Sequence, residues 1–187
     1  MLVPLAAWAA PPITTWTGNA SDWNLPTNWS NGTPDATFEA VLNGGAGTPT
    51  LIGSSVTVDT LTMNGTGNTL NLQNLSLTAQ TVNLSVGTIT GVAGSGLNVG
   101  TMTMTGGTIA SAVGIATTGT VTLTGVSLGS VISSTGGVTT NGAVTLSGSN
   151  TYSGTTTISA GTLQIGNGGG GSLGSGNVVI STGATLA

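Results

Sequence analysis

The chain has 187 residues, four acidic side chains and a net charge of −4, and it contains no lysine, arginine, histidine or cysteine. Without cations it cannot neutralise phosphates, the interaction that supplies most non-specific affinity for nucleic acid. It also lacks the usual general base, the thiolate nucleophile and the nitrogen and sulfur ligands of zinc. We therefore expect no nucleic-acid partner, no disulfide, no metal site and no cofactor.

The composition predicts a folded, all-β protein. Hydrophobic residues make up 37% of the chain, which is more than disordered chains of high net charge contain. Valine, isoleucine and threonine favour pleated surfaces, whereas the helix formers glutamate, lysine and arginine are nearly or wholly missing. Because cytosolic surfaces normally mix both signs of charge, an extracellular or assembled protein fits better.

Residues 1–12 are apolar and begin MLVPLAAWAA. Ala7-Trp8-Ala9 has the small-x-small form of a signal-peptidase site, but the positive region that normally precedes the apolar run is absent. We interpret the segment as a signal-peptide remnant or as an apolar N-terminal arm, with equal weight. No stretch of the chain is long and apolar enough to span a bilayer.

Residues 13–50 differ in composition from the rest of the chain. All six prolines and all four tryptophans lie within the first 49 residues. Proline is excluded from the interior of sheets, so we predict an irregular capping segment over residues 13–50 and continuous sheet over residues 51–187. Trp16, Trp23 and Trp29 are expected to cover the open end of that sheet structure, with a carbohydrate-stacking platform as the alternative.

Asp35 and Glu39 are the carboxylate pair that glycoside hydrolysis would need. We expect residues 36–42 to form a strand, which places the two carboxylates about 13 Å apart at about 3.3 Å per residue. Both hydrolytic mechanisms need about 5 to 9.5 Å. Although Asp22 or Asp59 could approach one of them in space, we expect solvated acids, no catalytic residue and no enzymatic activity.

After residue 50 a short phrase returns, in which two apolar residues alternate with threonine or asparagine before a glycine. Successive copies are separated by 21, 20, 19 and 23 residues. The copies begin at Leu61, Val82, Met102, Val121 and Val144. A second phrase, glycine-threonine-isoleucine, occupies residues 87–89 and 107–109. A period near twenty residues is typical of a solenoid, whose units bury their apolar faces by stacking.

Each unit reads as a β-coil. Alternation with period two points Val121 and Leu123 inward, and Thr120, Thr122 and Thr124 outward. The segment has room for about seven coils, each rising about 4.8 Å. Helical spacing is absent.

A glycine-rich run at residues 166–171 formally contains G-x-G-x-x-G. A dinucleotide site needs a helix directly after the glycines and an acidic residue about twenty positions later. No Asp or Glu follows Gly171. We therefore predict a loop between coils.

The segment from Val144 reads VTLSGSNTYSGTTTISAGTLQIGNGGGGSLGSGNVVISTGATLA. It resembles the autotransporter-associated β-strand repeat in the passenger domains of bacterial autotransporters. The earlier residues Trp16-Thr17-Gly18, Trp23 and Asn28-Trp29 are similar to the opening often found in such exported proteins. The resemblance implies a right-handed parallel β-helix outside the cell, with roles in adhesion, aggregation or scaffolding.

Two functional hypotheses follow. In the first, the chain is a structural subunit that assembles head-to-tail with itself into a surface filament or matrix serving adhesion, aggregation or biofilm formation. Its self-association candidates are Leu2, Val3, Leu5 and Trp8 in the apolar arm, and Leu186 at the uncapped end. In the second, it is a passenger (adhesin) fragment of a bacterial autotransporter without the C-terminal translocator barrel, for which the chain leaves no room. Cell-surface or glycan ligands are further candidate partners.

Overall fold

The computed structural model describes residues 9–18, 20–44, 47–133 and 135–187. These contain eighteen strands and one three-residue 3-10 helix, Pro26–Asn28. The strands are β1 Ile13–Thr15, β2 Glu39–Leu42, β3 Val56–Met63, β4 Thr69–Asn71, β5 Ser76–Leu84, β6 Thr88–Thr90, β7 Gly96–Met104, β8 Thr108–Ile109, β9 Gly114–Thr117, β10 Thr120–Thr124, β11 Ser127–Leu128, β12 Ile132–Ser133, β13 Gly137–Asn141, β14 Ala143–Leu146, β15 Thr156–Ile158, β16 Thr162–Ile165, β17 Val178–Ile180 and β18 Thr185–Leu186. No helix in these ranges is long and apolar enough to cross a membrane.

The main sheet runs along the whole solenoid in the order β1-β2-β3-β5-β7-β10-β13-β15-β17, and its strand pairs are parallel. A row of residues paired from strand to strand, here called a register file, runs across this sheet. From one strand to the next, the residue number in the file increases by 17 to 22, over seven steps. The file contains Ala40, Leu61, Val82, Met102, Val121, Val138, Thr156 and Val178. The predicted all-β solenoid of about seven coils, each near twenty residues, is therefore confirmed.

Two further sheets close the coils. One has the order β4-β6-β8 and the other β11-β14-β16-β18, while β9 and β12 extend the main sheet beside β7. The long strand β3 bends within itself, because Val58 and Leu61 are both buried although residues three apart in a straight strand face opposite sides. The inward residues of all these sheets form one buried apolar core.

The glycine-threonine-isoleucine phrases stack in register, since Thr88 pairs with Thr108 and Ile89 with Ile109. The glycine before each has a positive φ, 99° at Gly87 and 70° at Gly107. A Cβ added at Gly107 would also lie 2.8 Å from the carbonyl oxygen of Gly87. Glycine is needed there both for the left-handed backbone and for the close approach of successive coils.

One step of the repeat count is wrong. The count takes the phrase at Val144 as the next copy after the phrase at Val121, but Val121 pairs with Val138, seventeen residues later. Val144 pairs instead with Leu163, in the sheet that contains β11, β14 and β16. Both sheets bury alternate apolar residues and expose threonine, so the same phrase suits either one, and composition alone cannot distinguish them.

The capping segment 13–50 is continuous with the solenoid. β1 pairs with β2, and β2 pairs with β3. The residues between β1 and β2 include the 3-10 helix and form an excursion from the first coil. The division of the chain at residue 50 stays a prediction.

Candidate functional site

The strand expected over residues 36–42 begins later than predicted. Residues 36 and 37 form a turn rather than a strand, and β2 begins only at Glu39. Oδ1 of Asp35 accepts hydrogen bonds from the hydroxyl of Thr37 at 2.7 Å and from its backbone N–H at 2.8 Å. The hydroxyl bond and then the backbone bond lower the pKa of Asp35 below its ordinary value of 3.8. Asp35 thus stabilises a turn, as aspartate commonly does.

The other carboxylates also accept hydrogen bonds, from neighbouring residues or from the next coil. Glu39 accepts the hydroxyl of Thr62 at 2.7 Å, and Asp59 accepts the hydroxyl of Thr60 at 3.0 Å. Asp22 accepts the backbone N–H of Asn24 at 2.8 Å. In the part of the chain that the structure describes, no three acidic, histidine or cysteine residues are grouped so that they could hold a metal ion. The contacts of Asp22 and Asp59 support local structure, and that of Glu39 joins β2 to β3.

The three tryptophans of the capping segment form one buried cluster. The ring of Trp29 lies edge-on to Trp16 at 5.1 Å and to Trp23 at 4.6 Å between centroids. Nε1 of Trp29 donates to the backbone oxygen of Trp23 at 2.8 Å. Because the rings are at most 4% exposed, they cannot offer a face to a sugar, and the alternative of a stacking platform is wrong.

The outer edge of β1, the first strand of the main sheet, is already bonded within the chain. The side chain of Asn31 donates to the backbone oxygen of Ile13 at 2.7 Å. Ser30 accepts the N–H of Thr15 through its hydroxyl and donates its own N–H to the oxygen of Thr15, both at 2.9 Å. An edge strand normally offers such groups to another strand. Here they are occupied.

The opposite end differs. β17 and β18 are the last strands of their sheets, so their outer edges pair with no other described strand. The preceding coil buries Thr156, Ile158 and Leu163. The residues paired with them in the last coil are Val178, Ile180 and Leu186. They are nevertheless 41%, 49% and 39% exposed. This open end contains one predicted self-association residue, Leu186.

The remaining self-association candidates are Leu2, Val3, Leu5 and Trp8, and all four lie outside the described residues. Their role stays a prediction. The glycine-rich run at residues 166–171 forms a loop between β16 and β17, as predicted, and no helix follows it.

Asn150 is a structural residue that the repeat count missed. It is buried, and its Oδ1 accepts the N–H of Ile132 at 2.8 Å. Its Nδ2 donates to the oxygens of Gly148 at 3.1 Å and Ser172 at 2.7 Å. One side chain therefore joins three successive coils. The signal in the sequence was an amide interrupting the apolar alternation, followed by Tyr152, the only tyrosine.

Comparison with known proteins agrees with this architecture. Residues 141–165 match the family model described as passenger-associated-transport-repeat. This range contains β14, Asn150, β15 and β16. The match and the β-solenoid fit the β-helix repeat of autotransporter passengers, so the resemblance seen in the sequence is confirmed. Searches of curated proteins and of solved structures found no match.

Fold and repeat together fit an autotransporter passenger-like domain. The repeat suggests a secreted or surface location.

Proposed function

We propose that this chain is a non-enzymatic structural domain of a bacterial protein, working outside the cell as a passenger-type scaffold. The observation that supports this most is the unbroken main sheet, in which every coil from β2 to β17 stacks in parallel register on the next. A solenoid of this kind presents a long repetitive surface rather than a pocket. Asp35, Glu39 and Asp59 each accept a threonine hydroxyl, which suits structural roles for these carboxylates.

The location is tested on intact cells that express the chain within its natural flanking sequence. Trypsin is unsuitable because the chain has no lysine or arginine. We expect proteinase K, added outside, to remove an epitope inserted in the exposed loop at Asn167 while a cytoplasmic marker survives. Full protection of the epitope until the cells are lysed would contradict an extracellular location.

A second candidate function is assembly of the chain with itself into a filament or matrix for adhesion or aggregation. An apolar surface that a second copy could cover lies at β17, where Val178 and Ile180 are 41% and 49% exposed. A head-to-tail contact also needs an accepting edge. The outer edge of β1 is occupied by Ser30 and Asn31, so assembly would have to displace these residues or use another surface.

Electron microscopy and sedimentation of the purified chain test assembly. If it occurs, Val178→Lys should abolish it, because an inward-pointing charge on an edge strand blocks strand addition. Val92→Lys is the matched control, since Val92 is 57% exposed and lies outside the strands. Assembly should also be nearly indifferent to salt, because the chain has no side-chain cations to form ion pairs. Monodisperse short rods at every concentration would rule out the filament.

A further inference from the structure

The main sheet carries a regular outward array of threonines, here called the threonine face. Its central file is in register without interruption over six strands, from β3 to β15. That file contains Thr62, Asn83, Thr103, Thr122, Thr139 and Thr157. Two positions earlier along four of these strands lies a second file, formed by Thr60, Thr81, Thr101 and Thr120.

The spacing of this array follows from the fold. Neighbouring strands lie about 4.8 Å apart, and residues i and i+2 of one strand lie about 6.6 Å apart on the same face. Six strands therefore carry the central file over about 24 Å. Because parallel pairing holds these strands in register, hydroxyl and methyl groups recur on a two-dimensional grid with these two repeats.

The hydroxyls at the centre of the face are available to an external partner. Within the described ranges, the side chains of Thr101, Thr103, Thr120 and Thr122 have no hydrogen-bond partner. At the first coil the situation differs, because Thr62 donates to Glu39 and Thr60 donates to Asp59. These are the acids nearest to the face, and from β5 to β15 no strand residue is charged.

The face is also preorganised. Threonine is β-branched, so its side chain has few rotamers to lose on binding. The strands that carry the face also bury their inward side chains, such as Val121 and Leu123, in the core. A rigid array of this kind binds a repetitive partner with little entropy cost in ordering itself.

The other sides of the solenoid carry shorter or mixed files. The outward file through the first half of β5 and β7 continues from Thr78 to Asn98, Ala116 and Ser133. The sheet β4-β6-β8 also stacks threonines, but only over three short strands, at Thr69, Thr88 and Thr108, and in the sheet of β11, β14 and β16 the file is Ser127, Thr145 and Gln164. A long file dominated by threonine is thus a property of one face.

We propose that the threonine face binds ice. An uncharged face favours a neutral partner, because the face carries no charge beyond its first coil, and a periodic array of hydroxyls favours a periodic partner. The spacing between strands is close to the shorter oxygen repeat on the prism face of hexagonal ice, whereas the spacing between residues i and i+2 is somewhat shorter than the longer repeat. A polysaccharide surface fits less well, since sugar binding usually uses exposed aromatic faces and the tryptophans at the end of the solenoid are buried. The proposal is independent of the assembly hypothesis.

The test uses the purified chain and polycrystalline ice. We expect the chain to partition into slowly growing ice and to produce thermal hysteresis. Thr103→Tyr, at the centre of the face, should remove most of the hysteresis, because the ring lifts the lattice off the neighbouring threonines. Thr103→Val, which keeps the shape and a methyl group, should retain more activity than Thr103→Tyr.

Thr57→Tyr is the matched control. Thr57 is an exposed strand threonine, like Thr103, but it lies in the part of β3 before its bend. It should leave the hysteresis unchanged, and circular dichroism should show that all variants keep the β fold. Exclusion of the wild-type chain from ice, equal losses in Thr57→Tyr and Thr103→Tyr, or binding only to microcrystalline cellulose would each overturn the proposal.

Discussion

The lower coils, residues 56–104, and the upper coils, residues 137–165, share the same parallel strand pairing but bury different kinds of side chain. In the lower coils the inward positions of the strands are apolar, as at Leu61 and Val82, and the buried polar residues Asn68 and Ser95 lie outside the strands. In the upper coils the register places Thr140 between Leu123 and Ile158. Buried polar residues there also include Asn150 and Thr156.

This difference shows that the ladder does not require a wholly apolar interior. Two of the polar groups are satisfied inside the core. Asn150 bonds to three coils, and the hydroxyl of Tyr152 lies 2.7 Å from that of Thr156. The hydroxyl of Thr140, in contrast, is buried without a partner. Burial of a polar group costs little when it is hydrogen-bonded and more when it is not.

The largest effect is expected in the lower coils. Leu61→Ala removes a fully buried side chain from the main register file and should lower the free energy of unfolding by about 2–5 kcal/mol. Urea denaturation measures this. Ile52→Ala is the control, because Ile52 is 53% exposed and should change little. A loss at Leu61 no greater than at Ile52 would show that the lower core is not close-packed.

The next effect concerns the upper coils. Asn150→Ala leaves the N–H of Ile132 and two carbonyl oxygens without their partners and should cost about 2–3 kcal/mol in unfolding free energy. Asn177→Ala, at an exposed position whose side chain makes no hydrogen bond in the described structure, should cost far less. If both variants unfold alike, Asn150 does not join the coils energetically.

A stabilising change is expected at Thr140, whose buried hydroxyl has no hydrogen-bond partner. Thr140→Val keeps the shape of the side chain and removes its unpaired buried hydroxyl, which should raise the free energy of unfolding by about 1 kcal/mol. Thr139→Val, on the outer face of the same strand, serves as the control and should be nearly neutral. Destabilisation by Thr140→Val would indicate that a hydrogen bond or a water satisfies the hydroxyl in solution.

The smallest effect is a pH dependence in the capping segment. Because the folded pKa of Asp35 is lowered from 3.8, its contribution to stability is present above the unfolded pKa and is lost as the pH falls through the folded value. The contribution should be slight, since the carboxylate is exposed. In NMR titration, Thr37→Val should raise the pKa of Asp35, whereas Thr48→Val should not. An unchanged pKa in Thr37→Val would show that the hydroxyl bond does not form in solution.

Sequence reasoning reached the fold because its signal is periodic and local. Alternation at Val121 and Leu123 specified the inward face, and glycines at Gly87 and Gly107 marked a corner that repeats every twenty residues. The same reasoning misplaced Val144, since the phrase it reads is shared by two sheets. It also misread residues 36 and 37, where the turn around Asp35 outweighed the alternation.

The sequence by itself determined the all-β class, the coil length near twenty residues and the lack of cations, because composition and period-two patterning record them directly, and its phrase from Val144 onward showed the resemblance to passenger repeats. Only the tertiary structure decided which side chains meet across coils. It alone showed the buried tryptophan cluster and the unbroken file through Thr103 and Thr122. It also showed that the outer edge of β1 is hydrogen-bonded within the chain, whereas the outer edge of β17, at the opposite end of the sheet, pairs with no described strand. The physical reason is that register between strands is set by the length of each coil, which varies from 17 to 22 residues, so that neighbours in space are not fixed by a constant repeat.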